Sequence, residues 1–301
     1  IQDLFNIIWG KRLFILIFTS AAAIISISYS LFLPNVYTSS VLLSPASEEE
    51  SLSSRLKQFS GLASITGVSF SSDAGSKSDE AIARIESFEF FQNYFLPNIK
   101  LEDLMAPKKW IPEENTLIYD KKKYDENTKK WVRNISYPKK KKPTDLESFV
   151  ESYQKILNIT QEKDTGFIKI SIEHLSPFIA QKWLDVVVFN INESMREQDI
   201  KNAQNSIDFL NNYATLNNVK SLDEAISNLL ESQMQSLMIA SANEAYVFKI
   251  IDSSFLPEEK SGPNRLVILF LATFLGFFIS ISIVFLQRLH YFFAPNYKNQ
   301  N

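Results

Sequence analysis

Two uncharged stretches of 21 residues decide the fold: LFILIFTSAAAIISISYSLFL at residues 13–33 and LVILFLATFLGFFISISIVFL at residues 266–286. A helix rising about 1.5 Å per residue crosses the roughly 30 Å hydrocarbon core of a bilayer in about 20 residues. We therefore predict a transmembrane helix at each stretch. Buried core helices are usually shorter and amphipathic, and a cleaved signal peptide has a shorter apolar core and a small-residue cleavage site, so both alternatives fit less well.

Basic residues flank both apolar stretches on their outer sides. Lys11 and Arg12 precede the first stretch, and Arg288 and Lys298 follow the second. The positive-inside rule then predicts that residues 1–12 and 287–301 are cytoplasmic. Residues 34–265 form the translocated domain, and we expect the two short flanking segments to hold no cytoplasmic enzyme domain.

The composition disfavours most kinds of catalytic site. The chain has 31 Lys and Arg against 34 Asp and Glu, two His, seven Gly and no Cys. Disulfide and thiolate chemistry are excluded, and zinc-binding patterns are missing. The sequence also lacks GxxxxGK[ST] and Gly-rich dinucleotide patterns, which disfavours nucleotide binding. We predict no cofactor, no metal and no catalytic residue, so the protein is not expected to be an enzyme.

One pair of acids is the nearest approach to a catalytic pair. Glu86 and Glu89 lie three residues apart on the polar side of an amphipathic helical pattern, where solvated acids are usual. A glycosidase pair is the less favoured alternative. His174 follows a strand pattern and is expected to be hydrogen-bonded or on the surface.

The residues between the two apolar stretches show patterns typical of both strands and helices. The first half predicts a strand at 36–43, a short helix at 52–62, a polar loop at 71–78 and a helix from Asp79 to Pro97 with a core stripe of Ile82, Ile85, Phe88 and Phe91. The second half predicts a helix at 145–157, a β-hairpin at 156–161 and 167–172, a helix at 176–216, a returning helix at 222–240 and a strand at 245–251. The fold class is therefore an α+β extracytoplasmic domain with a long protruding helical hairpin, flanked by two transmembrane helices.

Two sets of residues are candidates for helix packing. The long helix carries an apolar stripe that needs lateral burial and so predicts self-association: Val187, Ile191, Met195, Ile207 and Leu210. Small residues repeat every fourth position in the two spans, at Ala22, Ser26 and Ser30 and at Ala272, Gly276 and Ser280. Such faces allow close helix approach, within or between protomers, although Ala and Ser are also common in membrane spans.

Residues 100–142 are rich in basic and aromatic side chains. They contain 13 Lys and Arg against 7 Asp and Glu, interleaved with Trp110, Tyr119, Tyr124, Trp131 and Tyr137. Such a composition is found in nucleic-acid sites, but the predicted compartment argues against that use. An anionic polysaccharide or a lipid head group fits the same chemistry, and a solvated excursion is the favoured alternative.

The order of several features resembles the Wzz-type chain-length determinants, which are kinase-free polysaccharide co-polymerases. These features are Pro34-Asn35-Val36-Tyr37-Thr38-Ser39 after the first span, SDEAIARIESFEFF at residues 78–91, the hairpin with Thr165-Gly166-Phe167 through Glu173-His174, and Pro257 and Pro263 before the second span. In the family, the segment before the second span is often richer in proline than residues 256–265 are here.

The resemblance implies a two-span protein of the bacterial inner membrane with its main domain in the periplasm. Members set the modal length of the O-antigen of lipopolysaccharide or of a related surface polysaccharide. The implied partners are other copies of the chain, membrane lipid, a polysaccharide polymerase and the lipid-linked glycan, with no nucleic acid. The alternative from a different class is a two-span sensor or adaptor that binds a periplasmic ligand or partner, and a hydrolase is least favoured.

Overall fold

The computed structural model describes residues 9–46, 77–216, 220–242 and 245–293. The chain separates into two compact units. One unit is Tyr37–Glu258, and the other joins the chain ends, Ile1–Val36 and Glu259–Asn301. The helix expected at 52–62 and the first six residues of the loop expected at 71–78 lie outside the described residues, whereas Lys77 and Ser78 begin a helix instead of ending that loop.

The terminal unit is built from two long apolar helices. Helix α1 spans Arg12–Phe32 and helix α9 spans Arg265–Phe293. The two helices pack against each other, yet most side chains in their apolar segments remain exposed. Both are long and apolar enough to cross a membrane, over Arg12–Phe32 and Arg265–Gln287. In a bilayer these exposed apolar side chains would contact lipid instead of water.

The larger unit contains a four-stranded antiparallel sheet in the order β6-β7-β1-β8. The strands are β1 (Tyr37–Pro45), β6 (Leu157–Gln161), β7 (Ile168–His174) and β8 (Phe248–Asp252). The predicted hairpin is present as β6 and β7. It turns through Gly166, whose φ of 71° favours glycine because it has no Cβ.

Alternation along β1 and β7 places the core on one face of the sheet. Val41 and Leu43 are buried on β1, and Ile168, Ile170 and Ile172 are buried on β7. On each strand these buried residues are two positions apart, so their side chains point to the same face of the sheet. β-branched side chains are well suited to this pleated, half-buried surface.

The helix predicted from Asp79 to Pro97 is interrupted. Helix α2 (Lys77–Ile85) ends before Ser87, whose hydroxyl donates to the Arg84 carbonyl and accepts from the Phe90 N–H at 3.2 Å. Helix α3 (Phe88–Phe90) then continues as a π-helical turn and a 3₁₀ turn. The turns span Phe91–Phe95 and Leu96–Asn98. Because the restart rotates the chain, Phe90 and Phe95 join the core while Phe88 is only partly buried.

The helix predicted at 145–157 is a continuous helical segment with a π-helical centre. It comprises α5 (Asp145–Ser148), a π-helical turn (Phe149–Tyr153) and α6 (Gln154–Ile156). The Thr144 hydroxyl caps it by accepting from the Glu147 N–H. Tyr153 is fully buried between aromatic rings, and its hydroxyl donates to the Ile85 carbonyl at 2.9 Å.

Residues 99–143 contain secondary structure that the sequence did not predict. Helix α4 (Leu101–Met105) is followed by two small antiparallel sheets, β2-β3 and β4-β5. Their strands are β2 (Pro107–Ile111), β3 (Thr116–Tyr119), β4 (Tyr124–Asp125) and β5 (Lys130–Trp131). Strands of two to five residues give too little alternation to be recognised among so many lysines.

The long helical hairpin is present. Helix α7 spans Pro177–Leu216, 40 residues, and helix α8 spans Lys220–Ala242. The first half of α7 packs on the sheet through Trp183, Leu184 and neighbouring core residues, while its second half pairs with α8. Together with the sheet and the two apolar terminal helices, this hairpin confirms the predicted α+β fold class.

Candidate functional site

The acids and the histidine considered for catalysis lie in different environments. Glu86 and Glu89 are both exposed to solvent. His174 is buried, with Nε2 3.0 Å from the Asp103 carbonyl and Nδ1 accepting from the Ser176 N–H. Burial lowers the pKa of His174, so the neutral ring is favoured. Within the described ranges, no group of three or more His, Asp or Glu side chains is arranged to hold a metal ion.

The small residues of the two spans lie where α1 and α9 meet. A Cβ added at Gly276 would lie 2.7 Å from the Ala22 Cβ. Ser26 is buried and donates to the Ile268 carbonyl at 3.3 Å. Ser30 and Ser280 are also buried, whereas Ala272 is half-buried. The contact between these faces is therefore within one protomer in this structure.

The apolar stripe assigned to self-association is divided between two environments. Val187, Ile191 and Met195 are buried in the protomer's own core, so the structure corrects their assignment to an oligomer surface. They face the sheet because the first half of α7 lies across it. Ile207 and Leu210 lie beyond the sheet and are half-buried beside α8.

The exposed apolar residues of the hairpin are different ones. Phe209 is 65% exposed and Met238 is 70% exposed, with Leu229 and Met234 also exposed. An open groove between the helices is lined by Asn205, Ser206, Phe209, Leu210, Leu229 and Gln233. Of these residues only Leu210 belongs to the predicted stripe, because that stripe was drawn on α7 alone and Leu229, Met234 and Met238 lie on α8.

A buried asparagine joins α7 to the last strand of the sheet. The Asn192 Oδ1 accepts from the N–H groups of Val247 and Phe248 at 2.8 and 2.9 Å, and its Nδ2 donates to the Val188 and Phe248 carbonyls at 3.2 Å. All of its amide hydrogen-bonding groups are used. The sequence carries no local signal for this role because the bonded strand is 55 or more residues away.

A second polar contact fixes the same region. The Tyr246 hydroxyl donates to Asp199 at 2.5 Å and accepts from Lys77 at 3.1 Å. Burial and the hydrogen bond to Asp199 raise the pKa of Tyr246 to about 12. This contact connects α2, α7 and the segment before β8.

The basic segment contains a buried arginine. Arg133 is 9% exposed, and its guanidinium donates to Glu147 through Nη1 at 2.5 Å and Nη2 at 3.0 Å. The same group donates to the carbonyls of Lys140 and Lys141 at 2.8 and 2.9 Å. Hydrogen bonding to Arg133 lowers the pKa of Glu147. Arg133 thus attaches the lysine-rich loop to helix α5.

The two prolines before the second span lie in different units. Pro257 is buried in the larger unit. Pro263 is half-buried in the terminal unit, beside Gly262, whose carbonyl accepts from the Val36 N–H at 2.9 Å. A functional role for these prolines stays a prediction from the sequence resemblance.

Comparisons with known proteins identify two regions of the chain. Residues 1–88 match the family model "Wzz: Chain length determinant protein", and residues 215–289 match "GNVR: G-rich domain on putative tyrosine kinase". No curated protein matches. The chain is thus similar to one domain family near its N-terminal end and to another near its C-terminal end.

Two solved structures are also similar to this chain. One is a "full-length bacterial polysaccharide co-polymerase", with 14% identity, coverage of 98% of this chain and 99% of that chain, and a TM-score of 0.41. The other is a fragment of WzzB, a polysaccharide co-polymerase from Salmonella Typhimurium, with 12% identity, coverage of 76% and 100%, and a TM-score of 0.29. Neither likeness is close enough to carry an argument. The family models do confirm the resemblance found in the sequence, because residues 1–88 of this chain match the model of the Wzz chain length determinant family.

Proposed function

We propose that this protein sets the modal chain length of O-antigen or a related surface polysaccharide. It acts as an oligomeric co-polymerase of the bacterial inner membrane, together with the glycan polymerase, and does not itself catalyse polymerisation. The match of residues 1–88 to the chain length determinant family carries this proposal. The two apolar terminal helices support it, because they suit a two-span protein with a large domain outside the bilayer.

Self-association is part of the proposal. The second half of the α7–α8 hairpin exposes several apolar side chains, among them Phe209, Leu229 and Met238. Exposed apolar residues clustered on one feature are typical of interaction surfaces. Sedimentation of the purified full chain in mild detergent should show a defined oligomer. A strict monomer at micromolar concentration would remove this part of the proposal.

Deletion of the gene tests the central claim. Cells without the protein should still make the glycan, but the preferred length band should give way to a broad distribution weighted to short chains. Glu86→Gln with Glu89→Gln should retain the band if, as we propose, these exposed acids are only solvated on a helix face. An acid or base in the reaction would contribute about 10²–10⁴ in rate and could not be replaced in this way.

Two outcomes of the deletion would contradict the proposal. Loss of all polymer would indicate an essential enzyme or transporter. An unchanged distribution of glycan chain lengths would favour the sensor or adaptor alternative.

The orientation can be tested with single introduced cysteines, because the chain has none of its own. Lys163→Cys lies in the exposed turn between β6 and β7. A maleimide that cannot cross the inner membrane should label this position in cells with a permeabilised outer membrane. Lys11→Cys should be labelled only after the inner membrane is also opened. The reverse pattern would contradict a periplasmic main domain.

A further inference from the structure

We propose that residues 137–142, here called the lysine loop, form a binding site for an anionic polysaccharide. Its ligand is a glycan that carries carboxylate or phosphate groups, and the inference rests on the function proposed above. The loop contains Tyr137, Pro138 and four consecutive lysines.

Three ammonium groups of the loop are available to a ligand. Lys140, Lys141 and Lys142 are exposed, and no carboxylate of the described residues lies within 4.0 Å of their side-chain nitrogens. Lys139 differs, because it lies 2.5 Å from Glu151 and this pairing raises its pKa. Adjacent like charges without counter-charges repel one another, so a bound polyanion relieves the repulsion.

The loop is held in place before any ligand binds. The Arg133 guanidinium donates to the carbonyls of Lys140 and Lys141, and its charge is balanced by Glu147. Because Arg133 is buried and paired, it serves as an anchor for the backbone rather than as a contact for the ligand. A loop fixed in advance loses less conformational entropy on binding, which favours affinity.

An aromatic ring at the start of the loop points to a carbohydrate. Tyr137 is 96% exposed, which is unusual for so large an aromatic side chain. Its ring offers a flat face on which the C–H face of a sugar ring can pack, beside lysines that meet the acidic groups. A peripheral membrane site also presents aliphatic anchors, and the lysine loop contains no Leu, Ile, Val or Phe. The observations therefore favour a glycan over a lipid surface.

The test measures binding to the purified full-length protein in phosphatidylcholine nanodiscs. The probe is a fluorescent polygalacturonate oligosaccharide, with a neutral dextran oligosaccharide of equal length for comparison. The loop variant is Lys140→Gln/Lys141→Gln/Lys142→Gln. The matched control is Lys155→Gln/Lys163→Gln/Lys249→Gln, which removes the same charge from three exposed positions elsewhere.

Salt-sensitive binding of polygalacturonate by the wild type is expected, with no binding of dextran. The loop variant should bind roughly tenfold more weakly, since three exposed ion pairs are lost, and the control should stay within about twofold. Tyr137→Ala should weaken binding at unchanged charge. Arg133→Lys should also weaken it, because a lysine cannot reproduce the guanidinium fork.

Equal binding by the loop variant and its control would overturn the proposal. So would an absence of polygalacturonate binding by a wild-type protein that sediments with phosphatidylglycerol vesicles, which would indicate a membrane surface instead. The binding assay is independent of glycan length in cells. If deletion changes the distribution of glycan lengths but the purified protein binds no oligosaccharide, this inference is rejected while the proposed function stands.

Discussion

The close approach of α1 and α9 at Ala22 and Gly276 can be tested by exchanging these two small residues. A Cβ placed on Gly276 would lie 2.7 Å from the Ala22 Cβ, whereas carbon atoms in ordinary contact lie about 3.5–4.0 Å apart. Gly276→Ala therefore requires a local separation of the helices of roughly 1 Å. Overpacking of this kind costs about 1–3 kcal/mol, and Gly276→Leu should cost more.

The structure also specifies a rescue. Apart from the two neighbours of Gly276 in the chain and the nearby backbone of α9, the Ala22 Cβ is the one atom of the described residues within 4 Å of the added Cβ. Ala22→Gly removes that atom, so the double variant Ala22→Gly/Gly276→Ala should fit without separation. The two substitutions should then be coupled by about 1–2 kcal/mol, which is within the range of contacting residues.

The assay is the unfolding midpoint of the purified chain in mixed micelles titrated with sodium dodecyl sulfate. Gly276→Ala should lower the midpoint, and the double variant should restore most of the loss. The same variants in cells should alter and then restore the glycan length band. An unchanged midpoint for Gly276→Ala, or a double variant no better than the single one, would refute the reasoning. A lowered unfolding midpoint with an unchanged distribution of glycan lengths would show that this contact stabilises the protein but does not take part in length control.

Three further predictions concern the larger unit. Asn192→Ala should lower the free energy of unfolding by about 2–5 kcal/mol in chemical denaturation, because the buried N–H groups of Val247 and Phe248 lose their acceptor. Burial lowers the pKa of His174 below its usual 6.5, so the unfolded state binds more protons, and stability should fall as the pH drops below 6.5 towards the folded-state pKa. His174→Gln should abolish that slope in unfolding curves measured at several pH values. Arg133→Ala should cost about 3 kcal/mol by leaving the buried Glu147 carboxylate with only its longer, 3.9 Å contact to Lys139, and Arg133→Ala/Glu147→Gln should recover part of it in the same measurement.

The sequence by itself determined the features that depend on local pattern. The two uninterrupted apolar runs specify α1 and α9, because a run of 21 uncharged residues has the length and composition of a membrane-spanning helix. Alternation around Gly166 specified the hairpin, and Ser176 and Pro177 marked the start of α7. The resemblance to chain length determinants likewise rested on the order of these local features along the chain.

Only the tertiary structure decided which residues meet across long separations. It placed β1 at the centre of the sheet, interrupted the helix at Ser87, and buried Val187 and Ile191 in the protomer rather than in an oligomer contact. It also brought Arg133 against Glu147 and folded the lysine-rich segment into small sheets. Periodicity shows that a face is apolar but not what covers it, because burial depends on neighbours that the chain supplies from distant positions.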